Sequence, residues 1–323
     1  MTKNKLFFAI KLIASITACA IIFSQLKIQS IVSAISAANP SLLGLAFLLA
    51  LVQPALNALK IKVLLPGSTI GYHYVLFTNF ASNFFRLTIP TDFGAELGRG
   101  YYLSKRTGSS AAAFSAIIID RYFGFCSQVL VASVVALVFG LSSSSVVWTR
   151  VGVFAGVCFL IAAGAPSVLF RSPVARLFAK MKPGRIVSAG VKLSEALKVF
   201  SDRPFRLAAA GAVSIVSQCL SLLMIVVLSA AFHTSLHFRE AAVITFLSTA
   251  ACLLPSFAGL GFVEGIFAGM FHYFSLHKEI GFTVSLTLRL FTIILALPGV
   301  FFIIAGDRRS KKTSKVIENN HGL

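Results

Sequence analysis

Acidic residues are scarce in this 323-residue chain: ten Asp and Glu stand against 29 Lys and Arg, and charged residues of both signs make up only 12%. An ordinary soluble domain carries about a quarter charged residues, and with a mean hydropathy of +0.88 a soluble fold is excluded. Catalytic signatures are missing too. No GxSxG, Walker sequence or HExxH occurs, and no polar segment is long enough to house a soluble catalytic domain. An enzyme of this sequence would need its active site within the membrane. Cysteines are few and scattered singly, at Cys19, Cys126, Cys158, Cys219 and Cys252, without a CxxC or a His-Cys cluster. That excludes a disulfide framework and a thiolate metal site, and leaves them as small apolar residues. His233 and His237 lie four apart with no third ligand nearby and read as a solvated pair, so no metal and no cofactor is expected. The strong positive charge comes without a soluble module or an aromatic platform, which argues against nucleic acid.

What is abundant is apolar length. A spanning helix needs about 20 apolar residues, and 6–26, 41–63, 111–140, 146–170, 206–232 and 280–305 qualify. Two further apolar regions are interrupted: 72–104 by Pro90, Asp92 and Gly94, and 240–275 by Pro255, Gly259 and Gly261. Each is either a re-entrant helical hairpin or a pair of short spans. The expected fold is therefore an all-α polytopic membrane protein with about six full spans plus two broken hairpins, or eight spans if these cross. Ala18-Cys19-Ala20, after Lys3 and Lys5, resembles a signal-peptide cleavage site. The apolar run continues to Phe23, so an uncleaved first span is preferred.

Cations set the orientation. One set of loops holds 22 of the 29 Lys and Arg, including Lys60, Lys62 and Arg99, nine between Arg171 and Arg206, and five from Arg308 to Lys315; the opposite loops hold only Lys27, Arg150, Arg239 and Lys278. By the positive-inside rule both termini are cytoplasmic. The chain then divides, within one membrane domain over 1–323, into a first repeat at 41–140, a basic cytoplasmic loop at 171–205, a second repeat at 206–305 and a basic tail at 306–323. Two readings of the loop are open: an amphipathic helix on the inner leaflet, and, preferred here, cations that set topology with no specific ligand.

The two repeats share a pattern. Pro90 is followed four residues later by Gly94 and then by Glu96; Pro255 is followed by Gly259, Gly261 and Glu264. The interval from Glu96 to Arg121 equals that from Glu264 to Arg289, and each arginine is followed by x-Phe. With the orientation above, the second set runs opposite to the first, the arrangement of inverted-repeat transporters whose broken helices meet near the midplane.

Asp120, Arg121 and Arg289 lie about ten residues into their spans, roughly 15 Å deep at the helical rise. An ionised group there costs at least about 2.5–3.5 kcal/mol on insertion scales and calls for a partner or a wet cavity. Glu96 and Glu264 are the natural counter-ions. Asp92 and Glu96, four apart, would share a helix face, with Arg86 or Arg99 as neighbours, although Arg86, near its helix end, is expected to snorkel. Two readings are open: a polar chamber in which Arg121 and Arg289 engage an anionic group such as phosphate, and a structural ion-pair network that fixes helix packing.

Several positions recur together in a known order. Asn83-Phe84-Phe85, Pro90 through Gly94, Arg99-Gly100-Tyr101-Tyr102-Leu103-Ser104-Lys105-Arg106-Thr107-Gly108 and Asp120-Arg121, then Pro255, Gly259-Leu260-Gly261, Glu264-Gly265 and Arg289, resemble the signatures of the lysylphosphatidylglycerol synthase transmembrane-region family. The resemblance covers nearly the whole chain. It implies a flippase-like member, similar to the half of the multiple peptide resistance factor that moves aminoacylated phosphatidylglycerol outward. A stand-alone chain is expected, without the soluble synthase domain. Val263 stands where many members have arginine, so the same headgroup is not implied. Carried over as substrate-binding residues are Asp92, Glu96, Arg99, Asp120, Arg121, Glu264 and Arg289, with Pro90, Gly94, Pro255, Gly259 and Gly261 at the broken helices.

The function expected from the sequence is translocation of an anionic phospholipid or lipid-linked sugar between leaflets of the inner membrane. The alternatives are a membrane-embedded lipid-modifying transferase using Asp92, Glu96 or Glu264 as acid or base, and a non-catalytic partner in lipid or envelope synthesis. Partners would be membrane lipids, with a second copy or a lipid-synthesis enzyme as further candidates.

Overall fold

A computed structural model describes residues 28–65, 70–88, 94–142, 149–150, 152–157, 159–160, 204–251 and 260–320, and every regular element among them is helical. In chain order these are α1 (Ile28–Ser36), α2 (Pro40–Leu64), α3 (Tyr72–Thr88), α4 (Gly94–Thr107), α5 (Ser110–Ser142), α6 (Pro204–Ala231), α7 (Phe238–Ala251), α8 (Phe262–Tyr273) and α9 (Lys278–Asn320). The expected first span at 6–26 and residues 171–203 of the basic loop lie outside the described residues, the loop's last two residues opening α6, and 146–170 is described only in part, with 152–157 helical. Pro90, Asp92, Pro255 and Gly259 also lie outside them.

Among the described residues, four helices are long and apolar enough to cross a bilayer: Pro40–Leu64, Ala112–Leu141, Phe205–Ala231 and Lys278–Ile304. Each agrees closely with an apolar run in the sequence. The four short helices α3, α4, α7 and α8 have 17, 14, 14 and 12 residues. At the helical rise even the longest spans about 25 Å, short of the roughly 30 Å hydrocarbon core.

Local chemistry explains the ends. Asn39 caps α2, its side chain accepting from Ser41 N at 3.0 Å and Leu42 N at 3.3 Å, and Pro40 takes the first turn, where its missing N–H removes an otherwise orphaned donor. Gly261 precedes α8 with φ at +87°, a conformation that disfavours any side chain. Its N–H donates to Glu264 Oε2 at 2.7 Å. The basic tail carries α9 on as helix through Asn320. After Gly306 no Gly or Pro interrupts it, and Lys and Arg are good helix formers.

Long, short, short, long is the order of α2 to α5, and again of α6 to α9. Helix α2 packs on α6, α3 on α9, and α5 on α7; within each half α2 meets α3, α3 meets α4 and α4 meets α5, as α6 meets α7, α7 meets α8 and α8 meets α9. Exchanging α2 with α6, α3 with α7, α4 with α8 and α5 with α9 carries each of these contacts onto another member of the set, and the α2–α6 contact onto itself. Close approach supports the cross-half packing. A Cβ at Gly299 in α9 would sit 2.4 Å from the backbone of Phe80 in α3.

One stripe of α9, formed by Leu290, Ile293, Ile294, Leu297, Phe301 and Ile304, is exposed, while Phe291, Leu295 and Ala296 are buried. Spacing of three and four residues puts the exposed set on one face, the face a membrane protein turns to lipid. Two apolar clusters fill the interior. Along α2, Ala46 and Ala50 belong to one, while Ala58, Ile61 and Leu64 belong to the other. Between them, near the middle of the helix, stand Gln53 and Asn57.

Candidate functional site

Gln53 and Asn57 open onto a chamber of ≈ 400 Å³ to which both halves contribute. Its first-half wall is polar: Asn79, Ser82 and Asn83 of α3 and Glu96 and Arg99 of α4 join the two α2 amides, and Arg86 is part of the lining. The facing wall from α8 and α9 is mostly apolar, with Val263, Phe267, Leu288, Phe291 and Leu295. Hydroxyls complete the rim at Ser221, Thr245, Ser248, Thr249 and Thr292. A cleft with an amide wall and an aromatic wall fits an amphiphile's polar end better than a purely apolar guest.

Inter-helix hydrogen bonds brace this space. Gln53 Nε2 donates to Ser217 O at 2.9 Å and Ser221 Oγ at 3.1 Å, and Ser217 Oγ returns a bond to Gln53 Oε1 at 2.6 Å, joining α2 to α6. Gln128 Nε2 donates to Thr245 O at 2.9 Å and Thr249 Oγ1 at 2.7 Å, joining α5 to α7. In an apolar medium such groups have no water to fall back on, so each bond also fixes helix rotation.

Both glutamates meet the arginine that follows them at the shared interval. Glu96 and Glu264 lie in the first turns of α4 and α8, where the helix dipole favours a carboxylate. Arg121 donates from Nε to Glu96 Oε1 at 2.8 Å and forms a salt bridge to the same oxygen through its terminal nitrogen. Arg289 reaches Glu264 Oε1 at 2.7 Å through Nε and 2.6 Å through its terminal nitrogen. Neither arginine is among the residues that line the chamber; each is held in an ion pair by the glutamate expected as its counter-ion. A carboxylate already at hand removes the need for an external counter-ion.

Asp120, Arg99 and Lys60 form a third cluster. Asp120 Oδ2 accepts from Arg99 at 2.7 Å, its Oδ1 lies 2.7 Å from Lys60 Nζ, and Arg99 also donates to Asn79 Oδ1 at 3.2 Å. Asn79 in turn donates to Pro54 O at 3.0 Å. All three charged side chains are at least nine-tenths buried. Two cations face one carboxylate, which leaves the cluster with a net positive charge, and Arg99 presents it to the chamber.

Of the residues expected from the sequence, then, the chamber gathers Glu96 and Arg99; Asp120 and Arg121 stand behind them, Glu264 and Arg289 form a separate pair, Gly94 opens α4 and Gly261 precedes α8. Asp92 lies outside the described residues. Two assignments change. Lys60, counted among the cytoplasmic loop cations, is buried on Asp120, and Arg99, counted likewise, is buried beside it. Removing both leaves the cation bias intact. Arg86, expected to snorkel, lines the chamber and is itself engaged. The residues the sequence did not single out are amides and hydroxyls, Gln53, Asn57, Asn79 and Ser248, while Asn83 entered only as part of the family signature. A signal was present, since polar side chains within apolar runs mark buried or wet faces.

His233 and His237 are both exposed, and His233 Nε2 lies 2.8 Å from Ala37 O. Cys126 and Cys219 are free thiols.

Residues 7–299 match the family model of the lysylphosphatidylglycerol synthase TM region, and the chain belongs to that family. No curated protein and no solved structure matches it. Family and apolar helices together make it an integral membrane protein with a function tied to membrane lipids.

Proposed function

We propose that this member of the lysylphosphatidylglycerol synthase transmembrane-region family is a lipid translocase of flippase type, which passes an anionic phospholipid or a lipid-linked sugar between the leaflets of a bacterial inner membrane. The observation that carries this reading is the chamber itself: a polar space at the mid-level of an apolar helix bundle, lined from both halves. A headgroup crossing a bilayer needs a polar stop at that depth, while its chains stay in lipid. The correspondence of α2–α5 with α6–α9 supports an inverted repeat, in which one site opens alternately to each side. Both termini are assigned to the cytoplasm on the cation bias.

The test is leaflet exchange of fluorescent phospholipids and lipid-linked sugars in proteoliposomes at equal reconstitution, comparing wild type with Asn83→Leu in the chamber and with Leu290→Ala on the lipid-facing stripe. Wild type is expected to accelerate exchange of at least one lipid at least about tenfold over protein-free vesicles, a barrier change of about 1.4 kcal/mol. Asn83→Leu should lose that acceleration and Leu290→Ala should keep it. Folded wild-type protein that moves none of them overturns the proposal; covalent change of the lipid would favour a transferase.

A further inference from the structure

Three buried side-chain atoms of chamber-lining residues have no hydrogen-bond partner among the described residues: Glu96 Oε2, Arg99 Nε and Ser248 Oγ. Buried polar atoms are nearly always paired in native proteins, so three orphans on one cavity point to a ligand that completes them. Their chemistry is mixed. The carboxylate oxygen only accepts, the guanidinium N–H only donates, and the hydroxyl does both.

Few headgroups meet all three. An ionised phosphate accepts from Arg99 but has nothing to donate to Glu96, and it would be repelled by that carboxylate. An ammonium donates to Glu96 but cannot accept from Arg99. A hydroxyl does both, and a sugar ring carries several on a rigid frame. The rest of the lining agrees: Asn57 and Asn83 offer amides that both donate and accept, while Phe267 and Phe291 on the facing wall offer aromatic surface to the C–H face of a ring. At ≈ 400 Å³ the space lies toward the small end of ligand pockets, roughly 300–1,000 Å³, and suits a headgroup rather than a whole lipid.

We infer that the chamber binds the glycosyl headgroup of a membrane glycolipid, with ring hydroxyls donating to Glu96 Oε2, accepting from Arg99 Nε and exchanging a bond with Ser248. The inference rests on the reading of the chamber as a lipid-headgroup site and chooses among the headgroups that reading admits.

Native mass spectrometry of the full chain in detergent tests it, using glucosyl-diacylglycerol, phosphatidylethanolamine and phosphatidic acid with identical acyl chains. Phosphatidylethanolamine is the demanding control, because its ammonium and phosphate together supply one donor and one acceptor. The glycolipid is expected to be retained at least about tenfold more than either phospholipid, since phosphatidic acid brings a second anion up to Glu96, and phosphatidylethanolamine carries its donor and acceptor groups on a flexible arm that must be ordered on binding, where a sugar ring holds them on a rigid frame. Ser248→Ala and Asn83→Leu should each reduce that preference, whereas Leu290→Ala on the lipid-facing stripe should leave it. Equal or stronger retention of either phospholipid, or a preference unchanged in both chamber variants, overturns the inference. The readout is binding without movement. A glycolipid preference in a protein that exchanges no lipid would refute translocation alone, and exchange of phospholipids without such a preference would refute only the headgroup assignment.

Discussion

Glu96 and Glu264 hold the same station in the two halves, each in the first turn of a short helix and each clasping the arginine at the same interval along the chain. Around that shared pair the halves diverge. Three residues past the glutamate stands Arg99 in one half and Phe267 in the other; one residue before the arginine stands Asp120 or Leu288. The first half therefore buries a charged cluster where the second buries hydrocarbon, and Arg99, Phe267 and Leu288 all face the same chamber. Duplicated positions thus separate what the fold requires from what one wall of the chamber requires. The Glu–Arg pair, present twice, is framework. The charged cluster, present once, is dispensable for folding in principle, because its counterpart positions pack without charge.

The sharpest way to break this comparison is to convert one half into the other. Asp120→Leu alone leaves Lys60 and Arg99 buried with no carboxylate, and about 3–5 kcal/mol of stability should be lost. The triple variant Lys60→Leu/Arg99→Phe/Asp120→Leu copies the apolar counterpart at 99 and 120 and removes the third charge. It should regain the wild-type Tm, since exchanging a buried ionic cluster for packed hydrocarbon is often neutral or stabilising, yet lose lipid exchange. Thermal unfolding in detergent, paired with the proteoliposome assay, reads both. A triple variant as unstable as Asp120→Leu would make the cluster structural after all.

The pairs themselves differ in setting. Glu264 and Arg289 have side chains 5% and 22% exposed, against 12% and 51% for Glu96 and Arg121. Glu264→Gln should cost about 2–3 kcal/mol, toward the buried limit, and Glu96→Gln about 1 kcal/mol, nearer the exposed one. Equal losses would mean that the two pairs are interchangeable despite their surroundings.

Packing between halves gives the next effect. Gly299→Ala forces α9 away from the α3 backbone and should cost about 1–3 kcal/mol, as overpacking does, with a matching fall in Tm. Smallest is the cap. Asn39→Ala removes the side-chain bonds to Ser41 and Leu42 and should lower stability by about 1 kcal/mol, with lipid exchange unchanged because the cap lies away from the chamber.

The long helices were legible because hydropathy summed over the length of a span is insensitive to detail: 41–63 became Pro40–Leu64 and 206–232 became Pro204–Ala231. The Glu–Arg pairing was legible for a different reason, since the same spacing occurs twice. Lys60 was not. It sits beside Lys62 near a helix end, so charge counting places it in a loop, and the carboxylate that holds it belongs to a helix far along the chain. Gln53, Asn57 and Ser248 escaped because a lone amide or hydroxyl barely moves an average. Only the convergence of helices from both halves shows that they share a cavity.

The α2–α6 contact, braced by Gln53 and Ser217, is the one packed pair that maps onto itself when the halves are exchanged. In mechanical terms it is the axle of the molecule. Any movement that trades one half's role for the other's can leave this seam in place while the α3–α9 and α5–α7 seams slide in opposite senses. The sites most tolerant of a rigid cross-link would then be those nearest the polar centre, and the outer seams would be where a single bond arrests the whole bundle.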